Sequence, residues 1–420
     1  MTVDLAVVGL GYIGLPLARE ASNAGLSVIG LEINSTVVDM LNSGRSHVDD
    51  LSDADVERMQ EAGFRATSDP NALEDAQTIV VCVPTPLSED SGPDLSAVRA
   101  AMGSIARHLR AGMLVILEST TYPGTTDEVV RPILEEAGHV AGRDFNLAFS
   151  PERIDPGNEK FGVRNTPKVV GGFTPNCTER AVAFYSRFID TIVPARGTRE
   201  AETAKLLENT YRHVNIALVN EMARFCHELN IDLWDVIRCA ATKPFGFQVF
   251  HPGPGVGGHC IPIDPNYLSH NVRARLGYPF RFVELAQEIN ATMPMYVVHR
   301  AQDILNGSNR AINGAHVLLL GVTYKPDIAD QRESPAVPLA KHLTAKGAVV
   351  SFHDPYVESW QVNGSQLLRV DDLDTALSGA DLSILLQGHS TYDFEQLATK
   401  SRRLLDTRGV VPSAPAVERL

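Results

Sequence analysis

Short, almost wholly apolar runs recur through the first half of the chain. They are Leu5-Ala6-Val7-Val8, Ser27-Val28-Ile29-Gly30, Thr78 to Val83, Met113 to Leu117, and Asn146 to Phe149. Runs of this length, without polar alternation, are strands covered on both faces. Helical periodicity separates most of them, as over Leu15 to Ala24 and Leu95 to His108. The alternation predicts βαβ units and a mainly parallel, doubly wound sheet. From Glu200 to Glu228 the period turns helical with no Gly or Pro. That predicts one helix roughly 40 Å long at 1.5 Å per residue, suited to bridging domains or to a dimer interface. A Gly/Pro-rich loop from Phe250 to Cys260 follows, then helix from about Pro279 to Leu305. Asn306-Gly307-Ser308-Asn309 interrupts the pattern, and a second α/β series begins, with strands at His316 to Gly321, Val349 to Phe352 and Asp381 to Leu386. The stretch containing Pro412 and Pro415 has no pattern and is expected to fray.

The 420 residues carry a formal charge of −14 and no basic run. This argues against nucleic acid or an anionic membrane as partner. An anionic ligand would need local Lys, Arg or helix N-termini. The five cysteines are scattered and form no CxxC pair, so no disulfide framework or zinc ribbon is expected. His251, His259 and Cys260 match no ligand spacing, and no metal is expected. No apolar run approaches the roughly 20 residues that span a bilayer, and no cleavable leader is seen. The expectation is a reduced, cytoplasmic enzyme.

Gly9-Leu10-Gly11-Tyr12-Ile13-Gly14 is G-x-G-x-x-G between the first strand and the first helix, the context this motif requires. Its glycines allow a tight turn, close approach of a pyrophosphate, and close helix–strand packing. Glu32 stands 18 residues after Gly14, at the end of the second strand. A carboxylate there takes ribose hydroxyls and repels a 2′-phosphate, so NAD is expected over NADP. The competing reading is a plain glycine turn with a surface glutamate. Val83-Pro84-Thr85-Pro86 ends another strand rigidly at the same edge, where open α/β sheets bind ligands; loop punctuation would explain it equally. The expected architecture is therefore α/β. Two Rossmann-like doubly wound domains (1–198 and 307–420) are joined by a long central helix and a helical middle domain (199–306).

Cys260 follows the glycine-rich loop, with Asp264 four residues on. A thiol next to flexible backbone and a helix start is a candidate nucleophile, although most single cysteines are inert and buried. Lys205 and Asn209 share one helix face, a pairing that stabilises an oxyanion if buried and means nothing if solvated. Glu118-Ser119-Thr120-Thr121 and Ser150-Pro151-Glu152-Arg153 each follow a strand and project toward the ligand edge. The residues alone reach an NAD-dependent oxidoreductase and no substrate.

Seven motifs in order then resemble the UDP-glucose/GDP-mannose dehydrogenase family. They are residues 9–16, 82–86, 118–125 and 150–153, Lys205 with Asn209, residues 253–260, and residues 321–327 with 332–335. The resemblance implies two successive oxidations at C6 of a nucleotide-bound sugar, using two NAD. Lys205, with a water held by Asn209 and Asp264, would assist loss of the hydroxyl proton. Cys260 would carry a thiohemiacetal and then a thioester, and Glu152 with Thr120 would activate water to hydrolyse it. NAD would lie against Gly9, Gly11, Tyr12, Ile13, Gly14, Glu32, Pro84, Thr85, Ser119, Thr120 and Arg332. The nucleotide sugar would meet Glu152, Arg153, Lys205, Asn209, Phe250, Gly257 and Lys325. The stretch 243–252 differs from the animal UDP-glucose dehydrogenases and looks more like bacterial enzymes acting on UDP-N-acetylglucosamine, so UDP-glucose and UDP-N-acetylglucosamine both stand as expected substrates. A homodimer through the middle helices is implied. A two-electron β-hydroxyacid dehydrogenase and a non-catalytic NAD-binding scaffold are the competing readings.

Overall fold

The computed structural model describes residues 3–48, 51–87, 92–154, 158, 160–258 and 261–420. It divides into two compact units: Met1–Glu208 with Asn266–Gly277, and Asn209–Pro265 with Tyr278–Leu420. The first unit is built on eight strands: β1 (Val3–Val8), β2 (Val28–Leu31), β3 (Arg65–Thr67), β4 (Ala76–Val81), β5 (Leu114–Leu117), β6 (Asn146–Phe149), β7 (Lys168–Gly172) and β8 (Ile192–Pro194). Their order is β3-β2-β1-β4-β5-β6-β7-β8. Every pair is parallel except β6 with β7.

The apolar runs are continuous because each strand feeds two cores. Leu5, Val7, Val80, Leu114 and Ile116 pack on one face of the sheet. Ala6, Val8, Ile79, Val81, Val115 and Leu117 pack on the other. Side chains alternate across a strand, so burial on both faces leaves no place for a polar residue. The expected strands are all present, with ends shifted by a residue or two. The short β3, β7 and β8 were not expected, since none carries an apolar run: β7 opens on Lys168 and closes on Gly171-Gly172.

The second unit has β9 (His316–Leu320), β10 (Val349–His353), β11 (Ser359–Val362), β12 (Ser365–Leu368), β13 (Leu382–Leu385), β14 (Leu404–Asp406) and β15 (Val417–Arg419). β10-β9-β13-β14-β15 form a parallel sheet, and β11 and β12 a hairpin. A helix of 31 residues, Thr198–Glu228, and another over Arg281–Gly307 supply the helical middle. The division between units falls inside the first of these, after Glu208, so residues 199–306 are shared between the two units. Among the described residues, no helix is long and apolar enough to cross a membrane.

The expected fraying after Pro412 is not found. The buried Asp406 carboxylate accepts N–H bonds from Arg408, Gly409 and Val411 and so fixes the turn that starts this segment. β15 then pairs with β14, Leu420 is buried, and Trp234 Nε1 donates to the Leu420 carbonyl at 3.1 Å. Order here comes from one carboxylate and a strand ladder, which hydropathy does not register. Deleting residues 414–420 should lower the melting temperature by about 5 °C or more, whereas a frayed tail would leave it unchanged.

Candidate active site

β1, β4, β5 and β6 are parallel neighbours, so the segments that follow them emerge at one edge of the first sheet. These segments are Gly9–Gly14, Cys82–Pro86, Glu118–Thr121 and Ser150–Arg153. The glycine turn does what its spacing requires. Gly9 has φ +91° and lies against the Cys82 carbonyl, where an added Cβ would come within 2.8 Å. At Gly14 a Cβ would lie 1.9 Å from the Gly9 carbonyl. At Gly11 it would meet no atom within 4 Å, so this glycine faces open space. Ile13 at the N-cap of the following helix makes no side-chain cap, and the first turn holds no acid. A diphosphate is the natural complement to such a helix start. Glu32 is clamped by the backbone N–H groups of Leu10 and Asn34, each at 3.0 Å, which fixes its carboxylate at the end of β2. Opposite, Thr85 Oγ1 donates to the Thr120 carbonyl at 2.8 Å and Ser119 Oγ to the Val83 carbonyl at 2.7 Å. The residues fit a bound dinucleotide carrying a free 2′-hydroxyl.

Behind this edge lies a buried ionic group that the sequence did not reveal. Because β7 runs antiparallel to β6, with Gly171 opposite Phe149, its first residue, Lys168, lies beyond the end of β6, alongside the segment that follows it. Lys168 Nζ is 3.1 Å from Glu118 Oε1 and 3.7 Å from Glu152 Oε2. Tyr185 OH also donates to Glu118 Oε1, and all four side chains are buried. Glu152 Oε1 accepts the N–H groups of Arg153 and Ile154, both at 2.6 Å, while its Oε2 accepts no hydrogen bond. Burial pushes the Glu118 carboxyl up, against the pull of Lys168. Burial alone would lower the Lys168 amine; Glu118 and Glu152 outweigh it and hold the ammonium above its ordinary range.

Arg153 is held by Glu208 at 2.7 Å and by the Pro167 carbonyl at 2.7 Å. Lys205, expected to be catalytic, is buried on the long helix. Three residues earlier, Glu202 is buried too. It accepts bonds from Gly124 N at 2.6 Å, Thr126 N at 2.9 Å and Thr126 Oγ1 at 2.7 Å, tying the segment after Thr120 to the helix that carries Lys205. Burial pushes the Glu202 carboxyl up to about 7, against those three donors.

In the second unit, Asn209 Nδ2 donates directly to Asp264 Oδ2 at 2.6 Å, and both side chains are buried. His259 and Cys260 lie outside the described residues. The loop before them is anchored by a polar chain. Gly253 N donates to Asn220 Oδ1, and Asn220 Nδ2 donates to Asn290 Oδ1, both at 2.9 Å. Asn290 Nδ2 in turn donates to the His213 carbonyl at 3.3 Å. Burial lowers His213 to about 4, which keeps its ring neutral at physiological pH. A Cβ at Gly257 would sit 2.7 Å from Tyr324 Cβ and 2.8 Å from the Glu333 carbonyl, so packing demands a glycine there. Phe250 is half-buried, edge-on to Tyr211. The segment bearing Lys325 is locked by a buried pair: His389 Nδ1 accepts from Asp327 N at 2.9 Å, which leaves Nε2 to donate to Asp354 Oδ2 at 3.1 Å. Arg332 is exposed and forks onto Asp330.

Residues 3–189 match the NAD binding domain of the UDP-glucose/GDP-mannose dehydrogenase family, 199–292 its central domain, and 318–413 its UDP binding domain. The chain belongs to this family. It is an NAD-dependent nucleotide-sugar dehydrogenase. It is 36% identical to the UDP-N-acetyl-D-mannosamine dehydrogenase of Salmonella typhi, over 97% of this chain and 98% of that one. It is 34% identical to an NDP-N-acetyl-D-galactosaminuronic acid dehydrogenase of Ralstonia nicotianae, over 97% and 96%. The structure of the UDP-D-ManNAc dehydrogenase from Pyrococcus horikoshii superposes with a TM-score of 0.90 at 31% identity, over 99% and 98%.

Two outcomes follow from this geometry. Gly11→Ala should leave the melting temperature within about 2 °C yet weaken NAD binding about tenfold or more by titration calorimetry, while Gly14→Ala should destabilise the fold itself. Equal effects at both positions would contradict the roles given to them. For Glu202, the folded carboxyl titrates above its ordinary 4.5, so the folded state binds the extra proton. Stability should therefore fall as pH rises from about 4.5 through 7, by at most ~3 kcal/mol. Glu202→Gln should remove that slope from urea unfolding curves; parallel profiles would contradict it.

Proposed function

We propose that the enzyme takes UDP-N-acetyl-D-mannosamine through a four-electron oxidation at C6, from hydroxymethyl to carboxylate, and works as a homodimer. This sugar replaces the UDP-glucose and UDP-N-acetylglucosamine expected from sequence. Its support is the end-to-end match to relatives named for N-acetylmannosamine. The observation that carries the reaction class is the buried Asn209–Asp264 hydrogen bond. A two-electron β-hydroxyacid dehydrogenase would use the Lys–Asn pair, but has no need of Asp264 four residues beyond a thiol. A non-catalytic scaffold has no reason to bury Lys205, Asn209, Asp264 and Glu152 at once.

NAD, when bound, supplies the acceptor for the hydrides, two molecules for each sugar. Lys205 stabilises the C6 oxygen as its proton leaves, with Asn209 and Asp264 orienting the water that takes it. Cys260 Sγ adds to the C6 aldehyde as a thiohemiacetal, and the second oxidation leaves a thioester. Glu152, assisted by Thr120, accepts a proton from the water that attacks the thioester carbonyl. The C–S bond then breaks and the thiol is regenerated. Arg153, Phe250, Gly257 and Lys325 would bind the nucleotide sugar, and Arg332 would help to hold the NAD. We take 1–198, 199–306 and 307–420 as the functional divisions.

Support for the dimer comes from the long helix. Tyr211, Leu218, Phe225 and Leu229 are exposed at helical spacing, and Phe282 and Leu285 are exposed at the start of the Arg281 helix. Apolar side chains in such numbers favour cover by a second copy. Light scattering should return twice the chain mass, and Leu218→Glu should halve it. With limiting sugar and excess NAD, two NADH should appear per UDP-N-acetylmannosamine consumed, with a carboxylate product. One NADH per sugar would contradict the four-electron course, and preferential turnover of UDP-glucose would overturn the proposed sugar.

A further inference from the structure

Lys168 is the one ammonium in the buried group that also contains Glu118, Glu152, Tyr185 and Cys82. Two carboxylates face it, and a thiol lies 4.0 Å from Glu118. One cation shared by two buried acids is an expensive arrangement to fold, since each charge must be stripped of water. An apolar set of the same volume would pack as well. The sheet nevertheless turns one strand antiparallel against its neighbour, pairing Gly171 with Phe149, and that reversal puts the first residue of β7 past the end of β6, where the segment carrying Glu152 emerges. Ser150 Oγ fastens the same join by donating to the Val169 carbonyl at 2.8 Å.

The two carboxylates are not treated alike. Glu118 is closed off: Oε1 receives both Lys168 and Tyr185, and Oε2 faces Cys82. Glu152 is left half-used. Its Oε1 is saturated by two N–H donors, and its buried Oε2 has only the ammonium at 3.7 Å, beyond hydrogen-bond reach. A base for water needs an oxygen with a lone pair to spare, held in one direction. Glu152 Oε2 answers that description, and the ion that keeps it so is Lys168.

We propose that Lys168 is the positioning residue for Glu152: fixed in place by Glu118 and the Tyr185 ring, its buried ammonium is the counter-charge that holds Oε2 in the direction from which it takes the proton of the hydrolytic water. The proposal rests on the reading of Glu152 as the base for thioester hydrolysis. Lys168 touches neither substrate nor cofactor in this scheme and acts only through Glu152. Nearby opposite charge lowers a carboxyl's titration by about one to three pH units, so its removal acts in the opposite sense.

The test forms the acyl-enzyme first and then jumps the pH, reading hydrolysis alone by quenched intact-protein mass. Lys168→Gln should move the acid limb of hydrolysis upward by about one to three pH units, slowing it about tenfold or more at pH 7 and recovering at higher pH. Lys168→Arg should restore the wild-type limb, and KM for the sugar should not change. Glu118→Gln combined with Lys168→Gln removes the second uncompensated carboxylate, so a folded protein is available even if the single variant melts. Because Glu118 also repels Glu152, the double variant is compared with Glu118→Gln alone, above whose limb its own should lie by about one to three pH units. A limb in the folded double variant that coincides with that of Glu118→Gln overturns the role of Lys168. Glu152→Gln separates the two readings: it should hydrolyse slowly at every pH. If it hydrolyses at the wild-type rate, the assignment of Glu152 falls, whatever Lys168 does.

Discussion

Four neighbouring strands running in the same direction are the constraint on which the first unit depends. Parallel β1, β4, β5 and β6 bring a glycine turn, a proline-stiffened turn and two polar turns out at one edge. The price of a parallel sheet is burial on both faces, and two cores on either side of it supply that. The antiparallel pairing of β6 with β7, among otherwise parallel strands of that sheet, has an electrostatic consequence. It delivers Lys168 to the edge where Glu118 and Glu152 emerge. Reverse that strand and two buried carboxylates would have no counterion.

The second unit solves positioning differently. Its polar groups form linear chains: Gly253 to Asn220 to Asn290 to His213 on the helices, and Asp327 to His389 to the Asp354 carboxylate at the sheet. Each link contributes about 1 kcal/mol net, but leaving one buried donor unmatched costs about 1–3. Such chains therefore act mainly to exclude alternative loop placements. One chain ends at the loop leading to Cys260, the other at the loop bearing Lys325. Flexible glycines sit between these anchors, and at Gly257 the freedom is consumed by the close approach of Tyr324 and Glu333.

Much of this was legible in the chain. Strands buried on both faces announce themselves as apolar runs, and the glycine turn is readable because backbone geometry alone dictates its spacing. The place of Glu32 at the end of β2 followed from its distance past Gly14. What escaped is what depends on strand order. Glu118, Glu152, Lys168 and Tyr185 are dispersed over 67 residues, and nothing local marks them as partners. Glu202 could have been suspected, as an acid one turn before Lys205. The ordered tail escaped because Asp406 organises it through backbone N–H groups, which no side-chain pattern reports. The sugar was the other gap: discrimination among UDP-hexoses rests on a few pocket contacts that motifs do not encode.

The central claim is that the second oxidation and the hydrolysis pass through a covalent thioester on Cys260. Rapid acid quench of the enzyme during steady-state turnover, followed by peptide mapping, tests it directly. The account predicts a uronyl adduct on the Cys260 peptide that grows under conditions slowing hydrolysis and disappears when sugar is exhausted. An unmodified Cys260 peptide throughout turnover to the carboxylate would contradict it.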